Sequence, residues 1–70
     1  MDLRVRVGLN VQKLRREMKL SQEDLAAAAE VHQTYLSGVE RGVRNPSLLV
    51  LGRIAKALGV DAEEFLKKRR

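Results

Sequence analysis

The sequence predicts an all-α fold of five short helices in one domain over residues 1–70, and three observations carry that reading. Apolar residues recur at the spacing of a helix packed on one side. Four of the runs begin beside a small polar residue able to cap them: Asp2, Ser21, Ser47 and Asp61. Stop signals follow at Gly42, at Asn45-Pro46 and at Gly59.

The elements follow in order. Asp2 can cap a first helix running to about Met18, with Leu3, Val7, Val11, Leu14 and Met18 on one stripe. Gly8 inside it costs about 1 kcal/mol relative to alanine. The alternation Leu3-Arg4-Val5-Arg6-Val7 also fits a short extended arm, so the helix is placed from about Val5 and Met1–Arg4 is left open. Gln12, Lys13, Arg16 and Glu17 form its solvated side.

Ser21 is the cap of the second helix, and Asp24 three residues on suggests a weak capping box. Leu25, Ala26 and Ala29 share one side. The apolar pattern breaks at Glu30, resumes at Val31 and breaks again at His32. A third helix over about 32–41 carries Leu36 and Val39, three apart. Two helices crossing steeply within so few residues need a small side chain at the crossing, and Ala26 supplies it. This is the logic of a helix-turn-helix, whose second helix enters a DNA major groove.

Ser47 caps a fourth helix with the inward stripe Leu48, Leu51, Ile54, Ala55 and Leu58, and Gly59 ends it. Asp61 caps a last short helix in which Phe65 plugs the core. Lys67-Lys68-Arg69-Arg70 reads as a frayed basic tail. No repeat, linker or low-complexity segment interrupts the chain.

Composition narrows the function classes. A chain of 70 residues buries only about 60% of its unfolded surface. Without cysteine it has no disulfide or thiolate metal site, which fits a cytoplasmic protein. No apolar run reaches the roughly 20 residues of a membrane helix, and no secretory segment is visible. One histidine, no cysteine, no glycine-rich phosphate loop and no metal-ligand spacing argue against an enzyme, a cofactor or a metal. Glu23/Asp24 and Glu63/Glu64 sit in first helical turns, where acids favour the helix dipole.

The net charge of +5 suits an anionic partner. Its distribution is uneven. Residues 1–20 and 47–70 each hold six Lys/Arg, whereas the middle holds Arg41 and Arg44 against Glu23, Asp24, Glu30 and Glu40. The third helix is therefore no basic patch, and attraction to phosphate has to come from its neighbours, backbone amides and helix N-termini.

Ser21-Gln22-Glu23-Asp24-Leu25-Ala26 and Arg41-Gly42-Val43-Arg44-Asn45-Pro46-Ser47 resemble the flanks of the helix-turn-helix in Cro/repressor-type regulators, the xenobiotic-response-element family. The run Thr34-Tyr35-Leu36-Ser37-Gly38-Val39-Glu40-Arg41 is most similar to the controller proteins of restriction–modification systems. The likeness extends from about Val7 to Phe65. It implies a five-helix repressor-like DNA-binding domain with the helix-turn-helix at helices 2 and 3. It further implies a transcriptional regulator that binds an inverted-repeat operator as a homodimer. Two positions depart from the family, which has glycine where Glu30 and Lys19 stand. Both are expected to need a left-handed backbone, at a cost of about 1 kcal/mol each.

The candidate residues follow. With Leu36 and Val39 inward, Thr34, Ser37, Gly38 and Arg41 face outward and Gln33 projects from the helix start. Gln33, Thr34 and Ser37 have the chemistry to read base edges. Gly38, without a side chain, is expected to let the helix approach the groove wall. The resemblance implies that Gln22 contacts a phosphate and braces Gln33. Arg44 resembles a controller-protein arginine that lies near DNA. Arg41 and Tyr35 join the backbone contacts, Tyr35 with its ring packed and its hydroxyl free. His32 can cap the reading helix or touch phosphate, capping being the commoner role. The resemblance pairs Arg15 with Glu40 as a structural strut, and their places beside apolar stripes make an unpaired charge there costly.

Leu49 lies roughly 150° from the inward stripe of helix 4, with Val50 on the flank and Leu66 after the buried Phe65. Scattered surface apolars are common. The resemblance instead implies a dimer contact through helices 4 and 5. The competing function is a protein-interaction module that keeps the fold without binding DNA. It is favoured by the acidic middle segment and the bare Gly38. A membrane-surface peptide is disfavoured, because a core uses the apolar stripes.

Overall fold

Asp2 opens the first helix by accepting the Arg4 N–H at 2.9 Å, so α1 runs Leu3–Glu17 and begins two residues before the expected Val5. The computed structural model describes residues 2–68. Among them α2 is Gln22–Ala29, α3 Gln33–Glu40 and α4 Leu48–Leu58, followed by a 3₁₀ helix, Ala62–Leu66. There is no strand among the described residues. The expected fifth helix is thus 3₁₀ rather than α. Its Glu64 N–H bonds back three residues to the Asp61 carbonyl at 3.0 Å, and five residues are too few for an i→i−4 ladder to propagate.

The capping box at α2 is complete. Ser21 Oγ accepts the Asp24 N–H at 2.9 Å, and Asp24 accepts the Ser21 N–H at 3.3 Å. Ser47 accepts the Val50 N–H at 3.1 Å, and Asp61 accepts the Glu63 N–H at 2.9 Å. His32 occupies the N-cap position of α3 but makes no side-chain cap bond, against expectation. Its ring cannot fold back onto the first free N–H as a short hydroxyl or carboxylate does.

All four α-helices end the same way. The left-handed residue donates to the carbonyl three back, and the next residue to the carbonyl five back. The four left-handed residues are Lys19 (φ 58), Glu30 (φ 59), Gly42 (φ 78) and Gly59 (φ 70). The residues after them, Leu20, Val31, Val43 and Val60, are all apolar. Lys19 and Glu30 therefore adopt the strained backbone that the absence of glycine predicted. The α2 end gains outside support: Arg53 donates Nε to the Ala29 carbonyl at 3.1 Å and Nη2 to that of Glu30 at 3.4 Å.

The core is Val7, Val11 and Leu14 from α1, Leu25, Ala26 and Ala29 from α2, Leu36 and Val39 from α3, Ile54, Ala55 and Leu58 from α4, and Phe65. Leu3, Met18 and Leu48 were expected in it but are exposed. At about 1.5 Å per residue α1 outruns the core, so both ends of its stripe overhang. Leu48, in the first turn of α4, projects past the rim.

Two residues of α1 act beyond the apolar pattern. Asn10 is 1% exposed and donates Nδ2 to the Phe65 and Lys67 carbonyls, both at 2.8 Å, tying the chain end to α1. Lys67 also pairs with Glu64 at 2.7 Å, so the expected frayed tail does not begin there. Arg69 and Arg70 lie outside the described residues. Gly8 is not merely a cost. A Cβ there would run into the Val39 carbonyl and lie 2.7 Å from that of Glu40, so its bareness lets α1 cross the end of α3 in backbone contact.

Candidate nucleic-acid interface

The orientation of α3 is fixed before its outer face is considered. Leu36 and Val39 are fully buried, and Glu40 turns inward with its side chain 1% exposed. Arg15 donates Nε to Glu40 Oε2 at 2.6 Å and Nη2 to Oε1 at 3.1 Å. Its Nη1 donates to the Leu20 carbonyl at 2.8 Å. Gln22 Nε2 donates to Glu40 Oε1 at 3.0 Å. One buried carboxylate therefore takes three donors from two side chains, so α1, α2 and α3 meet on it, and Arg15 also ties in the α1–α2 turn. The side-chain hydrogen bond of Gln22 goes to Glu40 and not to Gln33, because Glu40 lies under the N-terminus of α2 while Gln33 projects away.

With that side locked, Gln33, Thr34 and Arg41 are exposed and Ser37 is half-buried. Tyr35 is half-buried, its ring against the core. Arg44, in the loop after α3, folds back and sets its guanidinium carbon 5.8 Å from the Tyr35 ring centroid. Gly38 lies under the Arg44 side chain and is buried, so it does not form the bare outward surface expected of it. His32 is exposed beside Gln33.

Residues 11–65 match the family described as helix-turn-helix. This chain belongs to the helix-turn-helix family of transcriptional regulators. A transcriptional regulator of this type from Sinorhizobium fredii, y4dJ, is 47% identical over 66 residues, 94% of this chain and 86% of that protein. The control protein C.BamHI of Bacillus amyloliquefaciens is 41% identical over 93% of this chain and 82% of its own length. Among solved structures, the restriction–modification controller protein C.AhdI of Aeromonas hydrophila superposes with a TM-score of 0.87 at 39% identity, covering 89% of this chain and 94% of that one.

In this helix-turn-helix chain the middle segment is less acidic toward its surroundings than its composition suggests. Glu40 is buried and bonded to Arg15, so it adds little negative field outside. Several large apolar side chains stay outside the core. Leu49 is 81% exposed, and Leu66 is exposed. Val50 is half-buried and packs on the core, so it is less available to a partner than its sequence position suggested. The sequence reading missed Leu48 and Leu3. They join Leu66, Val7, Pro46 and Leu51 around an open groove of about 530 Å³. The one sequence signal for this was a stripe longer than the core needs. Among the described residues no helix is long and apolar enough to cross a membrane, and no cluster of three His, Cys, Asp or Glu could hold a metal ion.

Proposed function

We propose that this protein is a sequence-specific DNA-binding transcriptional regulator of the cytoplasm. In this reading it acts as a homodimer on an inverted repeat, with α2 and α3 as the helix-turn-helix and α3 in the major groove. The carrying observation is the polar row of exposed Gln33 and Thr34 with half-buried Ser37, on a helix held from behind by Leu36, Val39 and the Glu40 carboxylate. A reading helix has to present short polar groups without rolling, and this one is pinned on its inward side. Gln33 can bond adenine N6/N7 in bidentate fashion, and Thr34 and Ser37 can meet base edges or a thymine methyl. Arg44, Arg41, Tyr35 and His32 lie near the row in the chain, and in this reading they contact phosphates. Gln22 keeps a second amide hydrogen for a phosphate at the α2 N-terminus while it braces Glu40.

The dimer reading rests on the leucines left outside the core, above all Leu49. Two reading helices set about 34 Å apart would address half-sites one turn apart, or a multiple of it. The names of the similar control proteins support regulation as the outcome of binding.

Selection of bound sites from random DNA tests the reading. The expected product is an inverted repeat, and Gln33→Ala is expected to relax one or two positions of each half-site, worth about 1–3 kcal/mol per lost bidentate contact. A Gln33→Ala protein that weakens on all sites equally and selects the same sequence would mean that the reading face is misassigned. If the wild-type chain prefers no sequence at low salt, the protein-interaction module is the better account.

A further inference from the structure

Gly38 sits in the middle of α3, where its φ is ordinary and no turn calls for glycine. A Cβ built on it would lie 2.6 Å from Arg44 Cγ, 3.4 Å from Nε and 3.6 Å from Cδ, and these are the three nearest atoms. The clash falls at the root of the arginine side chain, so a rotation of its tip would not relieve it. The loop backbone is fixed to the same residue. The Gly38 carbonyl accepts the Val43 N–H at 3.0 Å and the Arg44 N–H at 3.2 Å. Tyr35, three residues before Gly38 and so on the same side of the helix, holds the guanidinium over its ring. The Arg44 stem thus lies across Gly38, and its charge lies over Tyr35.

We infer that Gly38 is a positioning residue: its missing Cβ is the slot that seats Arg44 on the outer face of α3 and so fixes where that cation meets DNA. The inference rests on the DNA-binding reading for its functional half only. It explains how a helix with little positive charge of its own carries a cation beside its reading row. It also differs from clearance for the groove wall, under which the bare glycine itself would face DNA.

The test uses the full chain as wild type, Gly38→Ala, Arg44→Ala and the double variant, on the selected operator. Arg44→Ala is expected to lower the slope of log affinity against log salt by about one unit. Gly38→Ala is expected to shift the slope in the same direction, while its thermal midpoint stays level or rises because alanine favours a helix interior. The double variant is expected to bind as Arg44→Ala alone does, since the atoms that a Cβ meets are gone. NMR on the free protein supplies a readout that needs no DNA. Arg44 side-chain protons are expected to carry ring-current shifts from Tyr35, the sole tyrosine, and to lose them in Gly38→Ala.

If Gly38→Ala keeps those shifts, or binds operator with the wild-type salt slope, the slot does not position Arg44. If the double variant binds more weakly than Arg44→Ala, Gly38 is clearance for DNA and the inference fails. Should Gly38→Ala misfold, a double variant that also misfolds would overturn it, because removing the arginine stem has to relieve the clash. Wild type binding no DNA, with the NMR pattern as expected, would sink the DNA-binding reading and leave the seating of Arg44 standing.

Discussion

Around Glu40 the fold buries charge, and along α4 it leaves leucine in the open. The Glu40 carboxylate is 1% exposed and takes three hydrogen bonds from Arg15 and Gln22. Leu48 and Leu49, in the first turn of α4, are 86% and 81% exposed. A polar group can be buried when its partners are inside the same chain, and here the partners come from two other helices, α1 and α2. An apolar residue can be left outside only if its exposure is tolerated or another surface covers it. The Glu40 side is complete within one chain, whereas the α4 side is open to completion by a second.

The largest expected effect comes from breaking the closed side. Arg15→Ala and Glu40→Ala are each expected to cost about 3 kcal/mol in urea unfolding, because each leaves the other charge buried without its partner. The double variant is expected to cost less than the sum of the two, and strict additivity would show that the pair is not coupled.

Asn10→Ala is the next largest. It strips the Phe65 and Lys67 carbonyls of a buried donor and is expected to cost about 1–3 kcal/mol. Amide exchange around 62–67 should quicken more than exchange in α2; equal quickening in both would mean that Asn10 does not latch the chain end.

The open side should respond in assembly rather than in folding. Leu49→Glu is expected to leave helicity and monomer stability within about 0.5 kcal/mol of wild type, as for an exposed site. In sedimentation it should run as a monomer and bind operator far more weakly. A wild-type protein that is already monomeric at tens of micromolar, free and on DNA, removes the dimer.

The smallest effect sharpens the contrast between a buried ion pair and an exposed one. Arg4 and Asp2 meet at 2.7 Å in the open. The hydrogen bonds of the Arg4 side chain, and then of its backbone N–H, hold the Asp2 carboxyl below its ordinary value. A carboxyl lowered on folding contributes stability above its unfolded value and loses it as pH falls through the lower folded one. Asp2→Asn should therefore narrow the stability gap to wild type in strong acid and leave a slight deficit near neutrality. A deficit that grows on acidification would reverse the sign of this account.

Local signals served the fold well. Ser21 with Asp24, Ser47 and Asp61 cap where they were expected to, and Phe65 is the buried plug. Even the strain was expected, though only through the resemblance, since Lys19 and Glu30 stand where the family has glycine and take a positive φ. The candidate site was legible in part. The row Gln33, Thr34 and Ser37 was found as the complement of Leu36 and Val39, which needs only the helical period. The cover over Gly38 was not legible on the same logic, because the period gives an outward direction but not what folds over it. Arg44 covers it from a loop, and no periodicity governs a loop.

By itself the sequence determined what repeats or what a neighbour within four residues decides: the order of the helices, most of their caps and the middle of each inward stripe. These depend on backbone geometry that every residue shares. Only the tertiary structure decided which side chains meet across the chain. Examples are Gln22 on Glu40, Asn10 on the Phe65 and Lys67 carbonyls, Gly8 against the end of α3, and Arg44 across Gly38. It also decided how far the core reaches, which left Leu3, Met18 and Leu48 outside and made the last helix 3₁₀. The physical reason is that a contact between distant residues depends on where every intervening element ends, and an error of one residue turns a helix face by about 100°.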